Sequence, residues 1–349
     1  MCKICANTVG GNLRGRKTEP ENHSNVRIFR MIGLCVAEPG AAPALIITQP
    51  PQPSKTQIQV KIAAAALNFA DLLLIEGRYQ DTPDFPLVPG LEIAGTVTVV
   101  GSKVTSHKVG DRIAAITGHG GLAEYAVLDA SRAIPLPPSV DFETAAATQI
   151  AYATAHLSLI RRARLVAGET IVILGAAGGA GLAALEVAKA SGARVIAVAR
   201  GEDRLKVAQD AGADITIDSA GQDLALALQP HAPFDIVYDV VGGADGTTAA
   251  RRLRPEGRHL LIGFASGDHP TLKPNHLLVK NIDVIGFNIS AYSKVNPAAL
   301  ADSLSTVFNW LASGKIRPHI GHRFPLSEAN NALDLLKSRK ATGKIVVTP

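Results

Sequence analysis

Residues 175–181 have the types and spacing of a phosphate-binding turn. Ala176, Gly178 and Gly181 occupy the three fixed positions of a G-x-G-x-x-G pattern, with alanine in place of the first glycine. The turn lies between an apolar stretch and a helical pattern, residues 182–189. In such a unit, small side chains let backbone N–H groups and the positive end of the helix reach a dinucleotide pyrophosphate. The turn therefore predicts a dinucleotide site, although small-residue turns of this kind also occur for packing alone.

The end of the next apolar strand, at Ala199, indicates which dinucleotide is bound. An acidic residue there would accept hydrogen bonds from the ribose 2′-hydroxyl of NAD. Here Ala199 is followed by Arg200, and Arg204 lies one helical turn further on. A guanidinium pairs with the 2′-phosphate of NADPH, which a carboxylate would repel, so NADPH is the predicted cofactor. Glu202 and Asp203 leave open the alternative that both arginines only line a solvated helix start.

Strands and helices alternate around this turn. Helical patterns at 182–189 and 202–211 separate apolar strand patterns at 171–174, 193–199 and 215–217, and a further strand pattern follows at 234–241. Such alternation is typical of an α/β fold with a doubly wound parallel sheet. We therefore expect the turn to lie at the carboxyl edge of that sheet.

The segments on either side predict a second, β-rich domain. Pro- and Gly-rich turns separate strand patterns before residue 150, at 58–62, 93–100 and 112–116. Near the C-terminus, helical patterns at 300–311 and 326–337 precede a last strand at 343–348. If that strand returns to the first domain, the nucleotide-binding unit is an insertion, and a ligand cleft lies between the two domains.

Length and charge exclude several classes of function. The 349 residues suffice for two domains with hydrophobic cores, and no apolar run is long enough to predict a membrane span. Of the net charge of +5, residues 1–30 carry +4, so the rest of the chain shows no nucleic-acid footprint. Residues 1–30 lack the apolar core of a secretory signal and are predicted to be a disordered extension. An organellar presequence is the alternative, since the segment is basic, although Glu19 and Glu21 argue against an amphipathic helix there. Cys2, Cys5 and Cys35 make neither a disulfide framework nor a four-ligand zinc site, and we expect a reducing, cytoplasmic location.

Several ordered motifs together resemble one protein family. They span residues 68–79, 86–95, 109–112, 176–181, 262–267 and 341–344. In this order they resemble the medium-chain dehydrogenase/reductase superfamily and, within it, the zinc-free quinone oxidoreductases related to zeta-crystallin. The resemblance implies a Rossmann domain at 155–290 inserted in a GroES-like catalytic domain at 31–154 and 291–349. It also implies a homodimer formed through the edges of the nucleotide-domain sheets.

The same resemblance identifies the positions at which zinc alcohol dehydrogenases of this superfamily hold their metal. In this chain they are Asn68, Leu91 and Ile150. No metal is predicted, because leucine and isoleucine side chains cannot ligate zinc. The expected acceptor is therefore a small molecule that delocalises the incoming charge onto oxygen, a quinone or an α,β-unsaturated carbonyl.

The resemblance places Asn68 and Tyr79 beside the substrate, as the candidate catalytic residues. The Asn68 amide can donate a hydrogen bond, and the Tyr79 phenol can donate one or protonate an enolate. Each residue is equally compatible with a structural role, Asn68 in holding a turn and Tyr79 in covering the cleft. The candidate cofactor-binding residues are Ala177, Gly178, Gly179, Ala180, Gly181, Arg200, Arg204, Val241, Gly242, Gly263, Phe264, Ala265, Phe287 and Lys344.

Two other functions remain open. Enoyl-thioester reductases share the motif at residues 68–79, and in them the tyrosine that matches Tyr79 is the proton donor. No basic cluster for a CoA or acyl-carrier substrate is visible in residues 31–138. This argues against the enoyl-thioester alternative but leaves it open. Some zeta-crystallin relatives are non-catalytic NADPH- or RNA-binding proteins, but the near-neutral charge after residue 30 argues against a nucleic-acid partner.

Overall fold

The computed structural model describes residues 30–349. The predicted N-terminal extension, apart from Arg30, lies outside the described residues, as do Cys2 and Cys5. The strands are β1 (Met31–Cys35), β2 (Ala44–Thr48), β3 (Gln57–Leu67), β4 (Glu92–Val100), β5 (Arg112–Ile116), β6 (Tyr125–Asp129), β7 (Ala133–Pro135), β8 (Thr170–Leu174), β9 (Arg194–Ala199), β10 (Ile215–Asp218), β11 (Phe234–Asp239), β12 (Leu253–Leu261), β13 (Asp283–Gly286), β14 (Ile320–Pro325) and β15 (Lys344–Thr348). The α-helices are α1 (Phe69–Ile75), α2 (Phe142–His156), α3 (Gly179–Ala190), α4 (Glu202–Asp210), α5 (Leu224–Leu228), α6 (Gly243–Ala250), α7 (Pro274–Lys280), α8 (Ile289–Val295), α9 (Pro297–Ala312) and α10 (Ala329–Lys337).

Strands β8 to β13 form the predicted parallel sheet. Their spatial order is β10-β9-β8-β11-β12-β13, with every neighbouring pair parallel. Alternate residues of β8 point to opposite faces, Ile171 and Ile173 toward α3, Val172 and Leu174 toward α5 and α6. The chain reverses its direction of winding between β8 and β11, and ligands bind outside the carboxyl ends of the strands at such a switch point. The doubly wound α/β fold class is therefore confirmed.

A second, largely antiparallel sheet contains strands from both ends of the described chain. Its order is β14-β15-β3-β4-β5-β7, with β6 also paired to β3. The last strand, β15, runs antiparallel to β3, with Ile345 opposite Leu67, so the predicted return of the C-terminus to the first domain is confirmed. Strand β3 continues to Leu67, well past the predicted end at residue 62, because its alanines are buried in the sheet even though they give no strand-type signal.

Helix α2 lies between the two sheets. It packs against β3, β4 and β5 of the second sheet and against α3 of the first, and a π-helical turn, Leu157–Arg162, continues it. Most of its residues are buried, so the helix has no polar face. The predicted boundaries of the two domains near residues 154 and 290 stay a prediction. No helix within residues 30–349 is both long and apolar enough to cross a membrane.

Candidate active site

The glycine-rich turn joins β8 to α3 at the switch point of the parallel sheet. Gly175 has a φ of +71°, and a Cβ at Gly181 would lie 2.2 Å from the carbonyl oxygen of Gly175, so the turn closes tightly on itself. At Gly178, by contrast, a Cβ would meet nothing nearer than 3.6 Å. The first backbone hydrogen bond of α3 runs from Leu182 to the Gly178 carbonyl, which leaves the preceding N–H groups without a partner inside the helix. These donors at a helix N-terminus fit a pyrophosphate.

The loops after β11 and β12 lie against this turn. A Cβ at Gly175 would come within 3.1 Å of Val241, and a Cβ at Gly242 within 3.0 Å of the Phe264 ring. The N–H of Ala265 donates to the Val240 carbonyl, which joins the two loops. The predicted residues of both loops are therefore neighbours at the carboxyl edge of the sheet, and Phe287 is buried just after β13, at the same edge.

Asp239, at the end of β11, fixes the first of these loops. Its Oδ1 accepts the N–H groups of Val241 and Gly242 at 2.9 and 2.7 Å, and its Oδ2 lies 3.1 Å from Nε2 of the buried His259. Both carboxylate oxygens are thus bonded within the protein. This geometry matches a structural carboxylate at a strand end and not a catalytic base.

The two arginines predicted to bind the 2′-phosphate lie beyond the end of β9. Arg200 is exposed, and Arg204 is half-buried in the first turn of α4. The Arg204 guanidinium donates to the backbone carbonyl of Arg339, in the loop between α10 and β15. That contact brings a further basic pair, Arg339 and Lys340, to the side of α4, which the sequence alone did not indicate.

Lys344 connects the glycine-rich turn to the second sheet. A Cβ at Gly179 would lie 2.8 Å from Cδ of Lys344, so the aliphatic part of this side chain covers the start of α3. Its ammonium group is buried and donates to the Leu67 carbonyl, Asn68 Oδ1 and Glu92 Oε1 at 2.9, 2.8 and 2.8 Å. The three donors of the ammonium therefore all have acceptors within the chain. The predicted cofactor contact of Lys344 stays a prediction; the structure supplies the aliphatic part of the side chain for it.

Glu92, at the start of β4, accepts hydrogen bonds from three groups of this region. It is fully buried, and Oε1 accepts from both Lys344 and the Asn68 amide, at 2.8 and 2.9 Å. Oε2 accepts the backbone N–H of Ile150 in α2 at 2.8 Å. The positions that the family resemblance matches to zinc ligands, Asn68, Leu91 and Ile150, therefore lie around Glu92. Within residues 30–349, no group of three or more His, Cys, Asp or Glu side chains is placed to hold a metal ion.

The side-chain amide of Asn68 uses its oxygen and both of its N–H donors on groups within the protein. Lys344 can only donate, so it must face Oδ1, and the Glu92 carboxylate can only accept, so it must face Nδ2. The second amide hydrogen is directed to the Ala66 carbonyl at 3.4 Å. No donor of this side chain is left over for a substrate, and the alternative that Asn68 holds the local structure fits its contacts better than the catalytic one.

Asp71 caps the start of α1 from a fully buried position. Its carboxylate accepts the N–H groups of Asn68 and Gly90 at 2.7 and 3.0 Å. Burial raises the pKa of Asp71 to about 7, against the opposing effect of these hydrogen bonds and of Lys344. Its role is therefore to hold the turn that carries Asn68.

Tyr79, in the turn after α1, has a different environment. The side chain is half-buried, and its hydroxyl shares a hydrogen bond of 2.6 Å with the hydroxyl of Ser290, in the first turn of α8. Burial raises the pKa of the phenol, and the bond to Ser290 opposes that rise. One hydroxyl partner leaves the phenolic oxygen with unused hydrogen-bonding capacity.

Two residues of this site, Glu92 and Ser290, were not predicted from the sequence. Glu92 had a usable signal, an acid inside an otherwise apolar strand between Leu91 and Ile93. A carboxylate at such a place must be paired when it is buried. Ser290 had no such signal, because only the tertiary fold brings α8 to the turn that carries Tyr79.

Two family models match the chain. Residues 54–138 match the alcohol dehydrogenase GroES-like domain, and residues 211–347 match a domain described as zinc-binding dehydrogenase. The GroES-like match confirms the predicted class of the β-rich domain.

Individual relatives and solved structures are also similar. The chain is 37% identical over 298 residues to the quinone oxidoreductase-like protein 2 homolog of Nematostella vectensis, a match that covers 84% of this chain and 81% of that protein. It is 32% identical over 301 residues to phthioceranic/hydroxyphthioceranic acid synthase of Mycobacterium tuberculosis, of which it spans only 14%. The crystal structure of Escherichia coli quinone oxidoreductase complexed with NADPH has the same fold, with a TM-score of 0.83 and 28% identity, over 92% of this chain and all of that chain.

Proposed function

Because this chain belongs to the quinone oxidoreductase-like proteins of the medium-chain dehydrogenase/reductase superfamily, we propose that it is an NADPH-dependent reductase of quinones or α,β-unsaturated carbonyls that works without zinc. The observation that carries this proposal is the position of the glycine-rich turn between β8 and α3. The first N–H groups of α3, which have no partner inside the helix, lie at the sheet's switch point, and Lys344 links this turn to the second sheet.

NADPH supplies a hydride when it is bound. We propose that the N–H groups of Gly179 and Ala180 hold its pyrophosphate and that Arg200 and Arg204 hold its 2′-phosphate. The loop that Asp239 fixes and the loop after β12 would then flank the nicotinamide end. These assignments rest on the tight turn, the helix N-terminus and the basic residues beyond β9.

The proposed acceptor class follows from the side chains at the cleft. Leu91 and Ile150 offer no metal-binding atom, and both carboxylate oxygens of Glu92 are already bonded within the chain. A substrate that spreads the incoming charge onto its own oxygen needs only a hydrogen-bond donor. Tyr79 is the donor that we propose for it.

The test of this proposal is NADPH oxidation by the purified protein, with 1,4-benzoquinone and cyclohex-2-enone as acceptors, with and without a chelator. We expect turnover of at least one acceptor and no loss in the chelator. Loss of all activity on chelation would overturn the zinc-independent assignment. NADPH binding without reduction of any acceptor in a broad panel would favour a non-catalytic binding protein instead.

The cofactor assignment has its own test in the double variant Arg200→Ala/Arg204→Ala. Each lost charge-assisted contact to a phosphate is worth about 1.5–3 kcal/mol, so NADPH affinity should fall by ~10²-fold or more while NADH affinity changes little. Arg194→Ala is the matched control, because Arg194 is exposed at the opposite end of β9. Equal weakening of NADPH and NADH would contradict the assignment.

A second candidate function is the reduction of a 2-enoyl thioester. It is favoured by the match to a protein named as an acid synthase and by the phenol of Tyr79 as a proton donor. Crotonyl-CoA in the same assay separates the two candidates, since an enoyl-thioester reductase should turn it over faster than either small acceptor. Absence of crotonyl-CoA turnover rejects this candidate.

We also propose that two copies of the chain pair through β13. Within residues 30–349, this strand is bonded to β12 on one side only, and Val284 on it is 38% exposed. Leu278 and Val279, on the preceding helix α7, are more than three-quarters exposed. An apolar strand edge of this kind favours pairing with a second copy. Sedimentation should give a dimer that Val284→Lys dissociates; a monomeric wild-type protein would contradict this proposal.

The cytoplasmic location stays a prediction.

A further inference from the structure

The hydroxyl pair of Tyr79 and Ser290 connects two elements that are 211 residues apart in the chain. Ser290 is held firmly, because the side chain of Asn288 accepts the N–H of Ala291 and so caps the first turn of α8. Both hydroxyls are half-buried, and their oxygens lie 2.6 Å apart. This is a short hydrogen bond between two groups that can each donate or accept.

The charges around the Tyr79 phenol do not favour its ionised form. Burial raises the pKa of the phenol most, and Asp81 on the same turn and Asp71 in α1 raise it further. Lys294, on α8, lowers that pKa, but its ammonium is already paired with Asp81. Among the described residues, Ser290 supplies the hydrogen bond that reaches the phenolic oxygen itself.

We propose that Ser290 is a positioning residue that stabilises the phenolate of Tyr79 during proton delivery to an enolate. This inference rests on the proposed function. Hydride arrival at the β-carbon of an enone leaves an enolate, and the O–H bond of Tyr79 then breaks as a C–H bond forms at the α-carbon. The enone is reduced and NADPH is oxidised to NADP⁺. The phenolate accepts the Ser290 hydroxyl as a donor until water returns the proton.

Enones and quinones differ in the atom that must be protonated after hydride transfer. An enolate must be protonated at carbon, and a positioned acid assists that step. A reduced quinone carries its charge on oxygen, which water protonates directly. Loss of the Ser290 hydroxyl should therefore slow enone turnover and spare quinone turnover.

The experiment compares Ser290→Ala with Ser290→Thr, which keeps the hydroxyl. We expect Ser290→Ala to lower kcat for cyclohex-2-enone ~10-fold, about the value of one hydrogen bond to a charged group, and to enlarge the solvent deuterium isotope effect. The rate with 1,4-benzoquinone should stay near that of the wild type, and Ser290→Thr should restore the enone rate. Unchanged enone turnover in Ser290→Ala would overturn the inference, as would equal losses on both acceptors that Ser290→Thr fails to restore. Failure of the wild-type protein to reduce either acceptor would instead be a failure of the proposed function.

Discussion

Asn68 and Tyr79 lie at opposite ends of helix α1, and their surroundings are opposite in kind. Around Asn68, the groups Asp71, Glu92 and Lys344 are buried, and their charged atoms are bonded to one another or to the backbone. The Tyr79 hydroxyl has one hydroxyl partner, and the side chains of the ion pair between Lys294 and Asp81 are 67% and 31% exposed.

The difference supports a proposal about which end of α1 takes part in the reaction. A side chain whose donors and acceptors are all used inside the protein holds geometry, and removing it leaves buried groups unpaired. A half-buried hydroxyl with spare capacity can bind a substrate and exchange a proton. We therefore propose that the Asn68 end holds geometry and the Tyr79 end delivers the proton, and the following variants test this division.

The largest expected effect is that of Tyr79→Phe on enone turnover. Loss of a general acid lowers kcat by about 10²–10⁴-fold, while the protein stays folded because only one hydrogen bond is lost. Tyr292→Phe, which removes a hydroxyl from α8, is the control. Steady-state rates measure the effect, and an unchanged enone rate in Tyr79→Phe would remove this residue from the reaction.

Lys344→Met tests the buried group of charged residues around Asn68. Glu92 would be left buried and without its cation, so the free energy of unfolding should fall by about 3–5 kcal/mol. Urea denaturation measures this fall. Lys337→Met, at an exposed position on α10, should change the free energy of unfolding by about 0.5 kcal/mol or less. A similar small change in Lys344→Met would show that the pair does not support the fold.

Asn68→Ala should cost less, since it removes hydrogen bonds but no charge. We expect a loss of about 1–3 kcal/mol in unfolding free energy, because Glu92 and Lys344 each lose a partner. The kcat for enones should fall far less than in Tyr79→Phe. If instead the two variants lose enone turnover equally, Asn68 acts on the substrate.

The effect that is smallest per pH unit, though it accumulates over several units, is a pH dependence from Asp71. Its pKa is about 7 in the folded protein and 3.8 as the ordinary value, so between these pH values the folded state holds a proton that the unfolded state has lost. Stability from this group therefore decreases as the pH rises from 4 to 7, by about 1.4 kcal/mol per pH unit, and is constant above that range. The difference in unfolding free energy between the wild type and Asp71→Asn should show this slope, and the exposed Asp334→Asn should not. A difference that grows with pH would contradict the assignment.

The sequence predicted the parts of the fold whose signal is local. Strand β5 has its predicted bounds, and the family resemblance, the glycine-rich turn between strand and helix, and the return of β15 are confirmed. Helix α2 was missed, because an alanine-rich helix buried on all sides has no amphipathic stripe.

The site was predicted less completely than the fold. A motif identifies Asn68 and Tyr79, but whether an amide donor is free depends on partners far along the chain. Asn68 meets Lys344 across 276 residues and Glu92 across 24. Ser290 reaches Tyr79 only through the packing of α8, which no local pattern indicates.

The central claim, that chemistry belongs to the Tyr79 end of α1 and geometry to the Asn68 end, is tested most directly by one ratio. This is the rate of cyclohex-2-enone reduction divided by the rate of 1,4-benzoquinone reduction, measured with NADPH for the wild type, Tyr79→Phe and Asn68→Ala. We expect the ratio to fall about 10²-fold or more in Tyr79→Phe and to stay near the wild-type value in Asn68→Ala. A ratio that falls in Asn68→Ala, or that is unchanged in Tyr79→Phe, would contradict the account.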